Sequence, residues 1–539
     1  MKKMSKKIIV FSFLISFPFF SQVFAQEKEI FFIERNYDLL SREKVLATKI
    51  VSLEKTNFFV EDDYWFSLSQ FQRDKILAQI KTIGFEFKNK IYPILTQRLG
   101  KEPAVGVNGD PKITILLSRM KENFGGYLRN VDNFEKILAP NSNERKILYL
   151  NVLLVENPVL KSTLAHEFSH LIIFNQKKLI LNVEEERWVQ EMISEIAPTL
   201  VGENENLKQR ITIFQKHFNT PLLEWKERAQ DYAILSIFGH YLLDQFGDSI
   251  FSKILNQKEI GISGIEKATQ KPFAEIFRNF AISNFLNDCS LGKDFCYQNE
   301  NLKNLKIVPE VQILPTVGES VFKIFRDTKD FAQNFYTFYG GKGNLEIVFE
   351  GDKNGDFNVT LIVCDKNGKC FFSPLILDEN QKGKTSIANF SQNYNSFSFI
   401  VFSKKNKKFF ENQEAPKYNF SIQVSFKESP TLPPPPPPTT TLPILSKFSC
   451  TSLDRNLKYG MAGNDVKCLQ EVLKKEGPEI YPEGLVTGYF GPLTLQAVKR
   501  FQQKYWQEIL APWGLSKDQP TGFVGQTTRA KINQILVSQ

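Results

Sequence analysis

Ser162-Thr163-Leu164-Ala165-His166-Glu167-Phe168-Ser169-His170-Leu171-Ile172-Ile173-Phe174 is an apolar run broken by two histidines and a glutamate in the spacing H-E-x-x-H. Its spacing predicts a helix on which His166 and His170 stand one turn apart on one face, so both imidazoles can reach one ion. Glu167 is turned by about 100° from His166, placed to hold a water beside a metal without ligating it. Two neutral nitrogen ligands and a carboxylate base beside an open position are what metal-assisted hydrolysis needs. The chain has only four histidines, His166, His170, His217 and His240, so chance rarely puts two of them around a glutamate at this spacing. The bland alternative is an amphipathic helix whose histidines bond to the backbone.

Trp188-Val189-Gln190-Glu191-Met192-Ile193-Ser194-Glu195 offers the third ligand. Glu191 lies 21 residues beyond His170 and can complete a His₂Glu site that holds one Zn²⁺ per chain, with water in the fourth position. Glu195, one turn on, can accept the other ring N–H of a ligand histidine and fix its tautomer. The acidic run Glu184-Glu185-Glu186 before them reads as a solvated face. No further histidine follows His170 at short range, which excludes a three-histidine metzincin set.

H-E-F-S-H followed by W-V-Q-E-M-I-S-E resembles the gluzincins, the thermolysin-like and aminopeptidase-like zinc peptidases, and within them most closely the hyicolysin family of secreted metallopeptidases. Gly109 to Leu117, Phe218 to Trp225, Asp231-Tyr232 and Tyr241 to Gly247 carry the likeness further. It extends loosely from about residue 30 to about residue 425, with Gln190 where asparagine is more usual. The resemblance implies a zinc endopeptidase with His166, His170 and Glu191 as ligands and Glu167 as base. It also gives Tyr232, at the start of a helix that Gly247 ends, the role of oxyanion stabiliser. A core tyrosine is an equal alternative for Tyr232. His240 competes for the role as a cation, but its aromatic neighbours Phe238 and Tyr241 favour a structural part; His217 reads as a surface residue.

Residues 1–25 read as a signal peptide: Lys2, Lys3, Lys6 and Lys7, an apolar core from Ile8 to Phe20, then Val23-Phe24-Ala25. The run is too short for a membrane span, and no other apolar stretch reaches that length. A secreted or envelope-associated protein is expected. The formal charge of +9 falls to +5 without the four leader lysines, too mild and dispersed to argue for nucleic acid. Six cysteines fall as near neighbours, Cys289 with Cys296, Cys364 with Cys370 and Cys450 with Cys468. In an oxidising compartment they predict three local disulfides.

The expected architecture is α+β and multidomain. Residues 26–300 form a zincin-like catalytic unit, with a sheet in the N-terminal part, where Lys112 to Leu117 and Ile147 to Val155 are β-like, and helices after residue 161. Gly125-Gly126-Tyr127 and the polar stretch to Asn143 could rim a cleft. Residues 301–427 alternate like the strands of a β-sandwich, with a hairpin over Lys366-Asn367-Gly368-Lys369 stapled by Cys364 and Cys370. Residues 428–449 hold six consecutive prolines, Pro433 to Pro438, a stiff spacer expected to keep the tail from packing on the catalytic unit.

Residues 450–539 contain a near-repeat, Thr487-Gly488-Tyr489-Phe490-Gly491-Pro492-Leu493-Thr494 against Thr521-Gly522-Phe523-Val524-Gly525-Gln526-Thr527-Thr528. The last threonine of each can serve as a helix N-cap. With Asp465-Val466-Lys467-Cys468-Leu469-Gln470 and Ala497-Val498-Lys499-Arg500-Phe501-Gln502, the tail is similar to the three-helix peptidoglycan-binding domain. That resemblance implies a targeting module. The expected partners are a polypeptide substrate and, through the tail, peptidoglycan. Two other readings stay open: a peptidoglycan hydrolase acting on stem-peptide cross-links, and a non-catalytic cell-wall-binding protein.

Overall fold

The computed structural model describes residues 27–315, 320–406, 415–427, 450, 452–461, 463–482, 484–486 and 488–537. The expected leader, 1–25, and spacer, 428–449, lie outside them. The chain divides into two compact units: the residues up to Phe85 with Val105–Asn157, and Glu86–Ala104 with everything from Pro158 onward.

The first unit is a six-stranded sheet of β1 (Lys28–Phe32), β2 (Lys44–Ser52), β3 (Thr56–Glu61), β4 (Ile113–Ser118), β5 (Gly126–Tyr127) and β6 (Ile147–Asn151). Strand order is β1-β2-β3-β4-β6-β5, with β3, β4 and β6 parallel and β5 an antiparallel edge. Helices α1 (Asp62–Ser67) and α2 (Gln70–Glu86) follow β3. Every residue of β4 and β6 is buried, as expected of parallel strands covered on both faces. The β-like run from Ile147 ends at Asn151, whose side chain accepts the Leu153 N–H and turns Val152–Leu154 into a 3₁₀ turn. The polar stretch after Tyr127 is pinned to the sheet. Buried Asp132 accepts the Tyr149 hydroxyl at 2.6 Å and the Asn143 N–H at 2.8 Å, beside Arg129 at 3.4 Å.

The second unit opens with a π-helical turn, Phe87–Ile91, and α3 (Tyr92–Leu99). The helical region continues with α4 (Val159–Phe174), α5 (Arg187–Leu200), α6 (Glu205–Lys216), α7 (Ala229–Phe246), α8 (Ser249–Leu255), α9 (Gly261–Thr269) and α10 (Phe273–Leu286). Phe168, two positions after His166 and therefore on the opposite face of α4, packs between Phe87 and Tyr92 at 5.0 and 5.6 Å. That contact helps set the rotation of α4 that turns the two histidines toward α5. Gly239 lets α7 approach α5 closely, since a Cβ there would lie 2.8 Å from Ile196 and 3.1 Å from Met192.

Next come β7 (Glu310–Leu314), β8 (Ser320–Thr328), β9 (Asn334–Gly340), β10 (Asn344–Gly351), β11 (Phe357–Asp365), β12 (Cys370–Leu375), β13 (Lys382–Ile387), a short α11 (Phe390–Asn393), β14 (Tyr394–Ser403) and β15 (Tyr418–Lys427). They form two sheets, β13-β10-β15-β8 and β12-β11-β14-β9-β7. Alternate residues such as Leu345, Ile347 and Phe349 face Phe397, Phe399 and Val401 in one core. Cys364 pairs with Cys370 across the β11–β12 hairpin, and the disulfides Cys289–Cys296 and Cys450–Cys468 also form. Phe277 of α10 packs on Phe331 and Phe402 at 5.3 and 4.8 Å, so the sandwich is seated on the helical region.

The tail comprises α12 (Asn464–Lys475), α13 (Pro492–Lys504), α14 (Trp506–Ile509) and α15 (Gln526–Val537). Two expectations change here. Thr494 and Thr528 are not N-caps: α13 starts at Pro492 and α15 at Gln526, and the threonine hydroxyls instead receive the side-chain amides of Gln470 and Gln502 at 2.9 and 3.1 Å. Nor does the tail stand apart. Tyr489, Gly491 and Leu493 share a contact surface with Phe371, Phe372 and Ser373 of β12. A stiff spacer limits how chain ends move, but an apolar face at its end still gains by burial.

Candidate metal centre

Residues from three helices meet at the site. From α4 come His166, Glu167 and His170, from α5 Glu191 and Glu195, and from the first turn of α7 Tyr232. The ligand-capable atoms of His166, His170 and Glu191 lie within 4.8 Å of one another, the one such group among the described residues. The two Nε2 atoms are 3.2 Å apart. Glu191 Oε2 is 3.5 Å from His166 Nε2, and Oε1 is 3.6 Å from His170 Nε2.

These distances fit a metal. Nitrogens bound to one tetrahedral zinc at about 2.0–2.1 Å stand roughly 3.3 Å apart. Glu191 Oε2 is buried and has no hydrogen-bond partner, an expensive state for a carboxylate oxygen that a cation would relieve. The donor set, two imidazoles and a carboxylate, is one that zinc accepts.

Glu195 is placed less directly than the sequence implies. Its Oε1 is 3.7 Å from His166 Nδ1, beyond hydrogen-bond distance, and Arg210 of α6 grips the carboxylate with two bonds of 2.8 Å. The Arg210 guanidinium also lies 4.9 Å over the Tyr232 ring, whose other neighbour is Trp225, edge-on at 4.8 Å. Arg210 thereby orients both Glu195 and Tyr232. Arg187, one turn before Glu191, reaches Glu191 Oε1 at 2.9 Å. Neither arginine belongs to the site predicted from the sequence. Arg187 carried a signal, the i,i+4 spacing to Glu191; Arg210 carried none, because its partner sits on another helix.

Electrostatics follow from burial and this clustering. Burial pushes the Glu167 carboxyl up to about 7 against the pull of His166. Burial would pull the His166 imidazolium down, but Glu191, Glu167 and Glu195 outweigh it and raise it to about 9. Burial lowers His170. Glu191 is buried too, yet His170, His166 and Arg187 hold it well below the usual carboxylate range. Burial, then the charges of Glu191, Glu195 and Glu167, raise the Tyr232 phenol, which keeps its proton as a donor.

His240 is not at the centre. Its Nδ1 is 2.7 Å from the Ser236 carbonyl and its Nε2 is 2.9 Å from Thr199 Oγ1. Burial lowers it to about 4, so it is neutral with both ring nitrogens engaged.

A curated protein matches this chain: the neutral metalloprotease ShpI of Staphylococcus hyicus, 29% identical over 263 residues. The chain is a distant homologue of a metalloprotease. The match takes in 43% of this chain and 56% of ShpI, so it spans little more than half of that relative. The family described as "Putative peptidoglycan binding domain" matches residues 462–505. Among solved structures, the pre-peptidase C-terminal domain of the Bacillus anthracis collagenase aligns at 9% identity and TM-score 0.15, over 22% of this chain and 96% of that one. The Salmonella Typhimurium lysozyme inhibitor PliG aligns at 16% and TM-score 0.15, over 22% of this chain and 99% of its own. Likenesses this weak carry no argument. The chain is thus a metalloprotease homologue with a peptidoglycan-binding domain and a His-His-Glu group suited to a metal.

Proposed function

We propose that this protein is a secreted zinc endopeptidase that hydrolyses peptide bonds in proteins and is held at the cell wall by its tail. The observation that carries the reading is the gathering of His166, His170 and Glu191 at zinc spacing, with Glu191 Oε2 otherwise unpartnered. Homology to a neutral metalloprotease supports it, as do three disulfides and a basic, apolar leader. The catalytic unit is assigned to residues 26–300, zincin-like, with H-E-x-x-H on its helical part. No helix among the described residues is long and apolar enough to cross a membrane.

His166, His170 and Glu191 would hold the zinc. Bound there, it supplies Lewis acidity to the scissile carbonyl and acidifies a water. Glu167 takes the proton of the attacking water and passes it to the leaving amine. The Tyr232 hydroxyl donates to the carbonyl oxygen as that oxygen gains charge. Glu195, held by Arg210, lies 3.7 Å from His166 Nδ1, where its charge favours a proton on that nitrogen and leaves Nε2 free to ligate.

The deciding experiment compares digestion of a denatured protein with digestion of purified murein, each with and without a chelator. Chelator-sensitive cleavage of the protein substrate is expected. Cleavage of murein cross-links alone would favour the second reading, a peptidoglycan hydrolase, to which the peptidoglycan-binding match also lends support. Activity on neither would leave a binding protein.

A further inference from the structure

The tail is built from two copies of one device. Gln470 of α12 accepts the Gly488 N–H at 2.8 Å and donates to the Tyr489 carbonyl at 2.8 Å and the Thr494 hydroxyl at 2.9 Å. Gln502 of α13 repeats this with the Gly522 N–H at 2.8 Å, the Phe523 carbonyl at 2.9 Å and the Thr528 hydroxyl at 3.1 Å. Gly488 and Gly522 share a left-handed backbone, φ 77° and 71°, which glycine adopts without strain. Each glutamine clamps one turn and so shapes one groove beside it.

The two grooves differ in what fills them. The first is closed by strand β12, an edge strand, whose Phe371, Phe372 and Ser373 line it opposite Tyr489 and Thr494 and leave about 20 Å³. The second is lined only by tail residues and holds about 630 Å³. The equivalent aromatics show the same contrast: Tyr489 is 7% exposed, Phe523 is 42%, and Trp513 beside it is 61%. Arg529 lines the open groove as well. Neutral acceptors steady it, Asn456 Oδ1 at 3.1 Å and the Asp454 carbonyl at 3.0 Å, and it pairs with no carboxylate among the described residues.

We propose that this second groove is the tail's ligand site and that it takes a short extended peptide bearing a carboxylate, the stem peptide of peptidoglycan. The assignment rests on the peptidoglycan reading above and deepens it. At the first groove the same device packs against residues of a strand. Exposed Trp513 and Phe523 supply apolar contact, and Arg529 supplies a fork that matches a carboxylate. The first groove serves instead as the face that seats the tail on the sandwich.

The test uses the full-length chain carrying Glu167→Gln, so that the polymer is not consumed, sedimented with insoluble peptidoglycan. Trp513→Ala and, independently, Arg529→Gln should each weaken binding at least tenfold with an unchanged melting curve. A synthetic stem tetrapeptide should compete, and N-acetylglucosamine oligomers should not. Ser373→Arg, at the covered groove, should leave binding as it was. Binding by the parent that survives both groove changes, a gain from Ser373→Arg, or competition by the sugar oligomers alone would each overturn the site while leaving the peptidoglycan reading standing. A parent that does not sediment at all would overturn both.

Discussion

The hydroxyls of Ser169 and Ser194 lie 2.7 Å apart, and Ser169 also lies 2.6 Å from the His166 carbonyl. One serine belongs to the helix with two of the candidate ligands, the other to the helix with the third, and both are buried. This contact sets the register of α4 against α5, and with it the distance from the imidazoles to Glu191. Ser194→Ala should cost about 1 kcal/mol of stability, the scale of one buried hydrogen bond. It should also weaken zinc binding several-fold. Denaturant midpoints and zinc titration measure the two effects; if neither moves, the pair does not hold the site.

The metal assignment and the base assignment separate cleanly. His170→Ala should lose zinc by elemental analysis. Glu167→Gln should keep zinc and fold yet lose nearly all hydrolysis, because an amide cannot take up the water proton. Equal zinc in wild type and His170→Ala, or substantial turnover by metal-replete Glu167→Gln, would move the chemistry elsewhere.

Tyr232 should act on the rate constant. Tyr232→Phe removes a donor without removing the ring that Arg210 and Trp225 pack against. A fall in kcat of roughly 10²–10³ with little change in KM is the expectation for a lost oxyanion donor. An unchanged kcat would leave Tyr232 a packing residue. His240 is a poor substitute, both its ring nitrogens being engaged.

His240 should show in the pH dependence of stability. Its folded value is about 4 against an ordinary 6.5, so between those values the unfolded chain binds a proton that the folded chain refuses. The group facing it is Glu195, whose charge opposes the shift without cancelling it. The stability it contributes is complete above about pH 6.5 and is lost as pH falls toward 4, up to about 3 kcal/mol in all. His240→Gln cannot titrate. Its stability deficit relative to wild type, measured by urea unfolding in chelator, should therefore shrink by a couple of kcal/mol between pH 7 and pH 4.5. A constant difference would mean that His240 is protonated in the fold.

Much of this protein was legible because its signals are short-range. H-E-x-x-H places two ligands and a base through helix periodicity alone, and nothing distant can change that spacing. The β-like run over residues 344–349 marked β10, and Cys364 and Cys370 marked the β11–β12 hairpin, for the same local reason. The tail's repeat is visible as sequence, but its threonines are not the caps that the local pattern predicts. A local pattern cannot show that Gln470, 24 residues before Thr494, will claim the hydroxyl.

What the tertiary structure decided were the relations between elements. Glu191 could be nominated from the sequence, but only the packing of α5 on α4, through Ser169 and Ser194 and with Phe168 turned toward Phe87, brings its carboxylate to the histidines. Arg210 reaches Glu195 and Tyr232 from a third helix, which no spacing announces. The proline run forecast a spacer and could not forecast that β12 would close one groove of the tail and leave its twin open. Contacts of this kind depend on which buried faces match in three dimensions, and that information is spread over many distant residues.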